Sequence, residues 1–186
     1  MRLTLLLCLS SAAALHASDF QLHKKIVNPG TSIPFLKNMV SWYPLEKLNT
    51  DEETPLIAIC SSVSSSLSMP TRVRRIKLLL KAGANVDSIG RDGCTALYRA
   101  TANDYIAVMR ILLIHKANPN YKVRFGFTPL SIASSQEAVD LLVEHSACIR
   151  ERDDFQHSAE FYIKQQGLRV PKKQKKKKHA CGCIIS

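Results

Sequence analysis

The 186 residues are enough for one modest domain with tails, and a hydrophobic fraction of 46% excludes a chain that is disordered throughout. Aromatics make up only 6%, which disfavours a sandwich or barrel and tilts the expectation towards helices. The net charge of +11 is unevenly placed: residues 1–168 carry +4, and Arg169 with the six lysines after it carries +7. The basic character therefore belongs largely to a tail, which argues for a local anionic contact rather than a basic domain surface.

The chain opens with Arg2, an apolar run from Leu3 to Leu15, and small residues up to Ala17. That order fits a secretory signal peptide over residues 1–17, and the run is too short to span a bilayer, which takes ~20 apolar residues. A first helix docked on the domain is the alternative. Residues 18–32 are expected to be a linker. From Ile33 to Trp42 the pattern predicts a helix that begins the folded domain, with Trp42 packed on the first full helix pair after it.

Three segments then align: Thr54-Pro55-Leu56, Thr95-Ala96-Leu97 and Thr128-Pro129-Leu130. Thr95 and Thr128 are one 33-residue period apart. A second helix follows each, carrying Leu78-Leu79-Leu80, Ile111-Leu112-Leu113 and Leu141-Leu142-Val143. The threonine hydroxyl is suited to cap a helix start, and proline beside it has the right φ and no N–H to waste. Gly83, Lys116 and Ser146 fall where the second helix ends in a left-handed residue. The Thr54 to Thr95 interval is long by eight, placed in the serine-rich stretch from Ser61 to Pro70. The Thr128 to Ser158 interval is short by three, expected as a shortened loop between helices; Ser158 to Gln166 predicts a capping helix.

These motifs resemble the ankyrin-repeat family over residues 33–166. The resemblance implies an all-α solenoid of helix-turn-helix repeats, about three full repeats plus degenerate caps. It also implies a protein-binding module that is not an enzyme and needs no cofactor. Family ligands dock on the turn tips and the concave face of the first helices. Here those places hold Arg91, Arg99, Asn103, Tyr121, Lys122, Arg124 and Phe125. Tyr121 and Phe125, set among Lys122 and Arg124, are the expected anchors, since aromatic and arginine side chains dominate interface energetics. Arg72, Arg74, Arg75 and Lys77 read as a solvated helix face. No nucleophile, metal or phosphate-loop motif stands out.

Residues 167–186 form a polybasic tail ending in Cys183-Ile184-Ile185-Ser186. A cysteine, two aliphatics and a terminal serine match a prenylation signal. Lys172, Lys173, Lys175, Lys176, Lys177 and Lys178 lie upstream, and Cys181 is placed for a second acyl chain. The tail resembles the lipidated ends of Ras-type small GTPases. One chain holds a membrane marginally, so lysines and a second chain belong together physically. The lysine run lacks interleaved aromatic or arginine stacking groups, which disfavours nucleic acid. Lipidation is cytosolic in eukaryotes, whereas a signal peptide implies export; a protein exported into a host cell and lipidated there satisfies both. An exported ankyrin-repeat protein with an unlipidated basic tail against an anionic surface is the alternative.

Overall fold

The computed structural model describes residues 21–41, 43–46, 48–49, 51–61, 67–90 and 92–171. Trp42, the leader up to residue 20 and the lysine-cysteine tail lie outside the described residues.

Helices come in pairs. The order is α1 (Gln21–Val27), α2 (Ile33–Val40), α3 (Pro55–Cys60), α4 (Met69–Lys81), α5 (Ala96–Ala102) and α6 (Ile106–Ile114). A 3₁₀ turn at Pro129–Ile132, α7 (Gln136–Glu144) and α8 (Ala159–Gln165) complete the stack. The first members, α1, α3, α5, the Pro129–Ile132 turn and α8, pack in one column; α2, α4, α6 and α7 pack in a second. The fold is thus the all-α repeat stack that the spacing predicts.

Thr54 and Thr95 cap as expected: their hydroxyls accept from the backbone N–H of Ile57 and Tyr98 at 3.4 and 3.3 Å. The leucine positions supply the core. Leu56, Leu97, Leu79, Leu112 and Leu142 are all fully buried. Each such side chain contributes ~1.5–3 kcal/mol, but only against its neighbours, so stability is shared along the array. Lys116 and Ser146 adopt φ of 68° and 72°, and Gly83 95°, so the predicted left-handed helix ends are present.

Side chains also tie successive turns. The Glu46 carboxylate accepts from Asn85 N–H at 2.7 Å, that of Asp87 from Asn118 N–H at 2.9 Å, and the Asn120 amide oxygen from Cys148 N–H at 2.6 Å. The three acceptors sit at equivalent repeat positions, one rung per junction.

Three expectations are corrected. The 18–32 segment, expected as a linker, contains α1, whose Ile26 is fully buried in the common core. With α2 it makes a complete helix pair in front of the three repeats. Second, the three missing residues of the last repeat are not taken from the loop between helices. They shorten its first helix to the single Pro129–Ile132 turn, and the capping changes with it. Ser131 Oγ accepts from Thr128 N–H at 3.0 Å and donates to Thr128 O at 2.7 Å.

Third, Arg72 and Arg75 are not solvated: they are 2% and 0% exposed, and only Arg74 and Lys77 face water. Both buried guanidinium groups serve carbonyls at helix ends, where the backbone has acceptors without intrahelical partners. Arg75 donates to Ile26 O at 2.6 Å and Thr31 O at 2.8 Å, clamping the end of α1. Burial lowers its pKa from the ordinary arginine value. Arg72 donates to Ile59 O in α3 and lies 4.4 Å from the Tyr105 ring centre.

Candidate functional site

Each repeat is entered through a short hairpin. Gly90 N–H donates to Cys94 O at 3.0 Å, Val123 N–H to Phe127 O at 2.8 Å and Asp153 N–H to His157 O at 3.0 Å. The hairpins carry Asp92, Phe125 and Phe155 at the same tip position.

An open groove of about 390 Å³ runs between the first two hairpins, lined by Asp92, Gly93, Tyr121, Lys122, Val123 and Arg124. Three of the sequence-predicted contact residues, Tyr121, Lys122 and Arg124, therefore converge on one feature. Their states differ. Lys122 Nζ is held 2.8 Å from the Glu151 carboxylate and 3.1 Å from Arg152 O, so its charge braces the next turn. Arg124 is exposed and has no carboxylate partner among the described residues.

Arg99 and Asn103 have internal work. The Arg99 guanidinium pairs with Asp92 and lies 3.6 Å from Glu53, joining the hairpin to α5 and the preceding repeat. Burial raises the Glu53 pKa despite that arginine. At Asp92, burial acts upward but the Cys94 N–H and Arg99 outweigh it, and the pKa is lowered. The Asn103 amide donates to Cys60 O at 3.1 Å and Arg99 O at 2.9 Å, ending α5 and binding it to α3. Arg91, the remaining candidate, lies outside the described residues, as do Cys181, Cys183 and Lys172, Lys173, Lys175, Lys176, Lys177 and Lys178.

Phe125 is the outlier. It is 55% exposed and has φ of 62°, a conformation that costs a residue with a Cβ roughly 1–2 kcal/mol. Gly126 beside it has φ of 76° and cannot be replaced: a Cβ there would meet Asp154 Oδ1 at 2.9 Å and Asp153 Cα at 3.0 Å. That close approach lets the capping hairpin dock, with Asp154 N–H donating to Phe125 O at 3.0 Å.

Docking assembles a chain of rings that the sequence reading of Phe125 alone misses. Phe125 and Phe155 lie 6.1 Å apart, Phe155 and Phe127 6.2 Å, and Phe127 and Tyr162 5.8 Å. Phe161 comes next at 5.4 Å from Tyr162, with His157 stacked on it at 4.4 Å. Phe155 and Phe161 are 56% and 43% exposed. Tyr162 is fixed by donating to Asp153, whose carboxylate also accepts from Phe155 and His157 N–H at 2.9 Å. Those bonds outweigh burial and lower the Asp153 pKa; the same bond pushes the Tyr162 phenol up to about 12.

Other chemistry on the described residues is subdued. Burial pushes the Cys60 thiol up to about 12 and the Cys94 thiol to about 11, the reverse of an activated nucleophile. Among the described residues no helix is long and apolar enough to cross a membrane.

Comparison with known proteins places the array. A family model for ankyrin repeats in three copies matches residues 22–123 and again 74–153. The chain belongs to the ankyrin-repeat family. It is 41% identical over 66 residues to the ankyrin repeat and LEM domain-containing protein 1 homolog of Caenorhabditis elegans, which covers 36% of this chain and 9% of that protein. It is 37% identical over 78 residues to human SH3 and multiple ankyrin repeat domains protein 1, 42% of this chain and 3% of the relative. An ankyrin repeat protein of Fowlpox virus is 36% identical over 59 residues, 32% of this chain and 8% of the relative. The chain thus spans less than a tenth of the length of these relatives. Ankyrin repeats are a non-enzymatic protein-interaction module, and this chain carries one.

Proposed function

We propose that this ankyrin-repeat protein is an exported adaptor, whose array holds a partner protein and whose tail tethers the pair to a membrane of a host cell. The observation that carries the binding half is the row of turn tips. It ends in Phe125 and Phe155, both more than half exposed on a rigid stack. Exposed rings on a repeat scaffold are an interface signal rather than a core feature. The tethering half is supported by sequence alone: Cys183 in a prenylation-like terminus, Cys181 beside it and six lysines upstream. The leader-like residues 1–17 support export.

The test is the chain without its leader-like residues 1–17, expressed in the cytosol of eukaryotic cells, where prenylation takes place. Its mass is expected to show a prenyl addition, and Cys183→Ser is expected to abolish membrane association. Lysines without a chain are screened within about 8 Å at physiological salt. Replacing Lys175, Lys176, Lys177 and Lys178 by Gln is expected to weaken association without preventing lipidation, because charge and chain are separate contributions. Unmodified mass and a cytosolic fusion of residues 167–186 would overturn the lipid anchor, leaving the exported binding protein with a bare basic tail.

A further inference from the structure

We propose that Phe125, Phe155 and Phe161, rimmed by Arg124 and Arg152, form a docking shelf for an extended segment of a partner protein that places an acidic residue beside aromatic or aliphatic ones. The inference rests on the protein-binding reading and gives it a place and a ligand chemistry.

Three observations carry it. The first is backbone cost at Phe125. Its φ of 62° is one that Asn or Gly adopts more readily, and its ring is 55% exposed. A bulky apolar residue held in strain at the surface lowers stability twice over. Such outliers concentrate where the side chain binds something.

The second is continuity. The rings of Phe125, Phe155, Phe127, Tyr162 and Phe161 touch in sequence, so the exposed faces form one strip across two hairpins and α8. The strip is positioned rigidly by the Asp153–Tyr162 bond and by the close approach at Gly126. Preorganised anchors of this kind lose little entropy on binding.

The third is charge. On these two hairpins Lys122 is neutralised by Glu151, and Asp153 is buried under Tyr162 and backbone N–H groups. Asp154 lies beside Gly126 and stays exposed, so one carboxylate stands against two arginines. Arg124 and Arg152 are left exposed, without carboxylate partners among the described residues. Arg124 directly precedes Phe125 and Arg152 lies three residues before Phe155, and an arginine near an apolar anchor favours a carboxylate next to an apolar side chain.

The experiment selects phage-displayed random dodecapeptides on the full chain and repeats the selection on Phe125→Asn and Arg124→Glu variants. Enriched peptides are expected to combine Asp or Glu with an aromatic or aliphatic residue. Each variant is expected to weaken synthetic versions by about tenfold or more. Phe125→Asn is expected to melt no lower than the parent, which a merely structural Phe125 would not allow. Peptides that bind both variants as well as the parent would overturn the shelf while leaving a protein-binding array in place. Enrichment of basic peptides would overturn the charge argument, and so would a shelf that engages phosphatidylserine vesicles but no peptide. A marked fall in melting temperature for Phe125→Asn would make Phe125 a packing residue and end the proposal.

Discussion

Replacing Arg75 by Met tests the least expected feature of the fold. A solvated arginine on a helix face would tolerate the change within about 0.5 kcal/mol. Here the side chain is fully buried and its guanidinium donates to Ile26 O at 2.6 Å and Thr31 O at 2.8 Å. Hydrogen bonds from a charged donor are worth about 1.5–3 kcal/mol each, so two are worth roughly 3–6. Methionine fills most of the volume and relieves the desolvation of the charge, which returns part of that sum. The net loss is then about 2–4 kcal/mol. With a urea m-value of about 2 kcal/mol/M, the midpoint falls by about 1–2 M. Circular dichroism at 222 nm measures the midpoint, and amide exchange locates the effect: protection in Gln21–Val27 should go first, because Arg75 holds the Ile26 carbonyl at the end of α1. Arg75→Lys should recover less than half, since a single ammonium lacks the fork that reaches two carbonyls. A midpoint within 0.3 M of the parent (about 0.6 kcal/mol), with α1 still protected, would refute the clamp.

Leu112 is fully buried between the two columns, so Leu112→Ala is expected to cost about 2–5 kcal/mol, read by the same urea titration; an unchanged midpoint would sink the packing assignment. Lys116→Gly, at φ of 68°, should stabilise by about 0.5–1 kcal/mol by relieving left-handed strain, seen as a higher melting temperature. Gly126→Ala should do the opposite and separate Phe125 from Phe155, because its Cβ meets backbone as well as Asp154. The lowered pKa of Asp153 contributes stability that is present above the unfolded carboxylate value of about 3.9 and is lost as pH falls through the lower folded value. Asp153→Asn should therefore reduce stability at neutral pH and flatten the acid limb of the stability profile, whereas an acid limb identical to the parent's would contradict the assignment.

The repeat spacing was enough to determine the architecture, because a 33-residue period of capped apolar helices has one economical way to bury its leucines, against copies of itself. The caps at Thr54 and Thr95, the left-handed Lys116 and Ser146 and the capping helix after Ser158 are local consequences of that period, and they are where the sequence puts them. Everything that depended on a neighbour in space was decided by the tertiary structure. Arg72 and Arg75 share a helix with solvated Arg74 and Lys77, and only the arrival of α1 and α3 turns two of the four into clamps on carbonyls. The three missing residues before Ser158 are visible as a number, but which element gives them up depends on the column into which Leu130 must pack. Phe125 was legible as a turn-tip anchor, but Phe155, at the equivalent hairpin position, was not singled out. Their contact was not legible either, because it requires Gly126 to let one hairpin approach the next. Charge and hydropathy report what a residue prefers in water, and these residues are defined by which backbone atoms the stack brings to them.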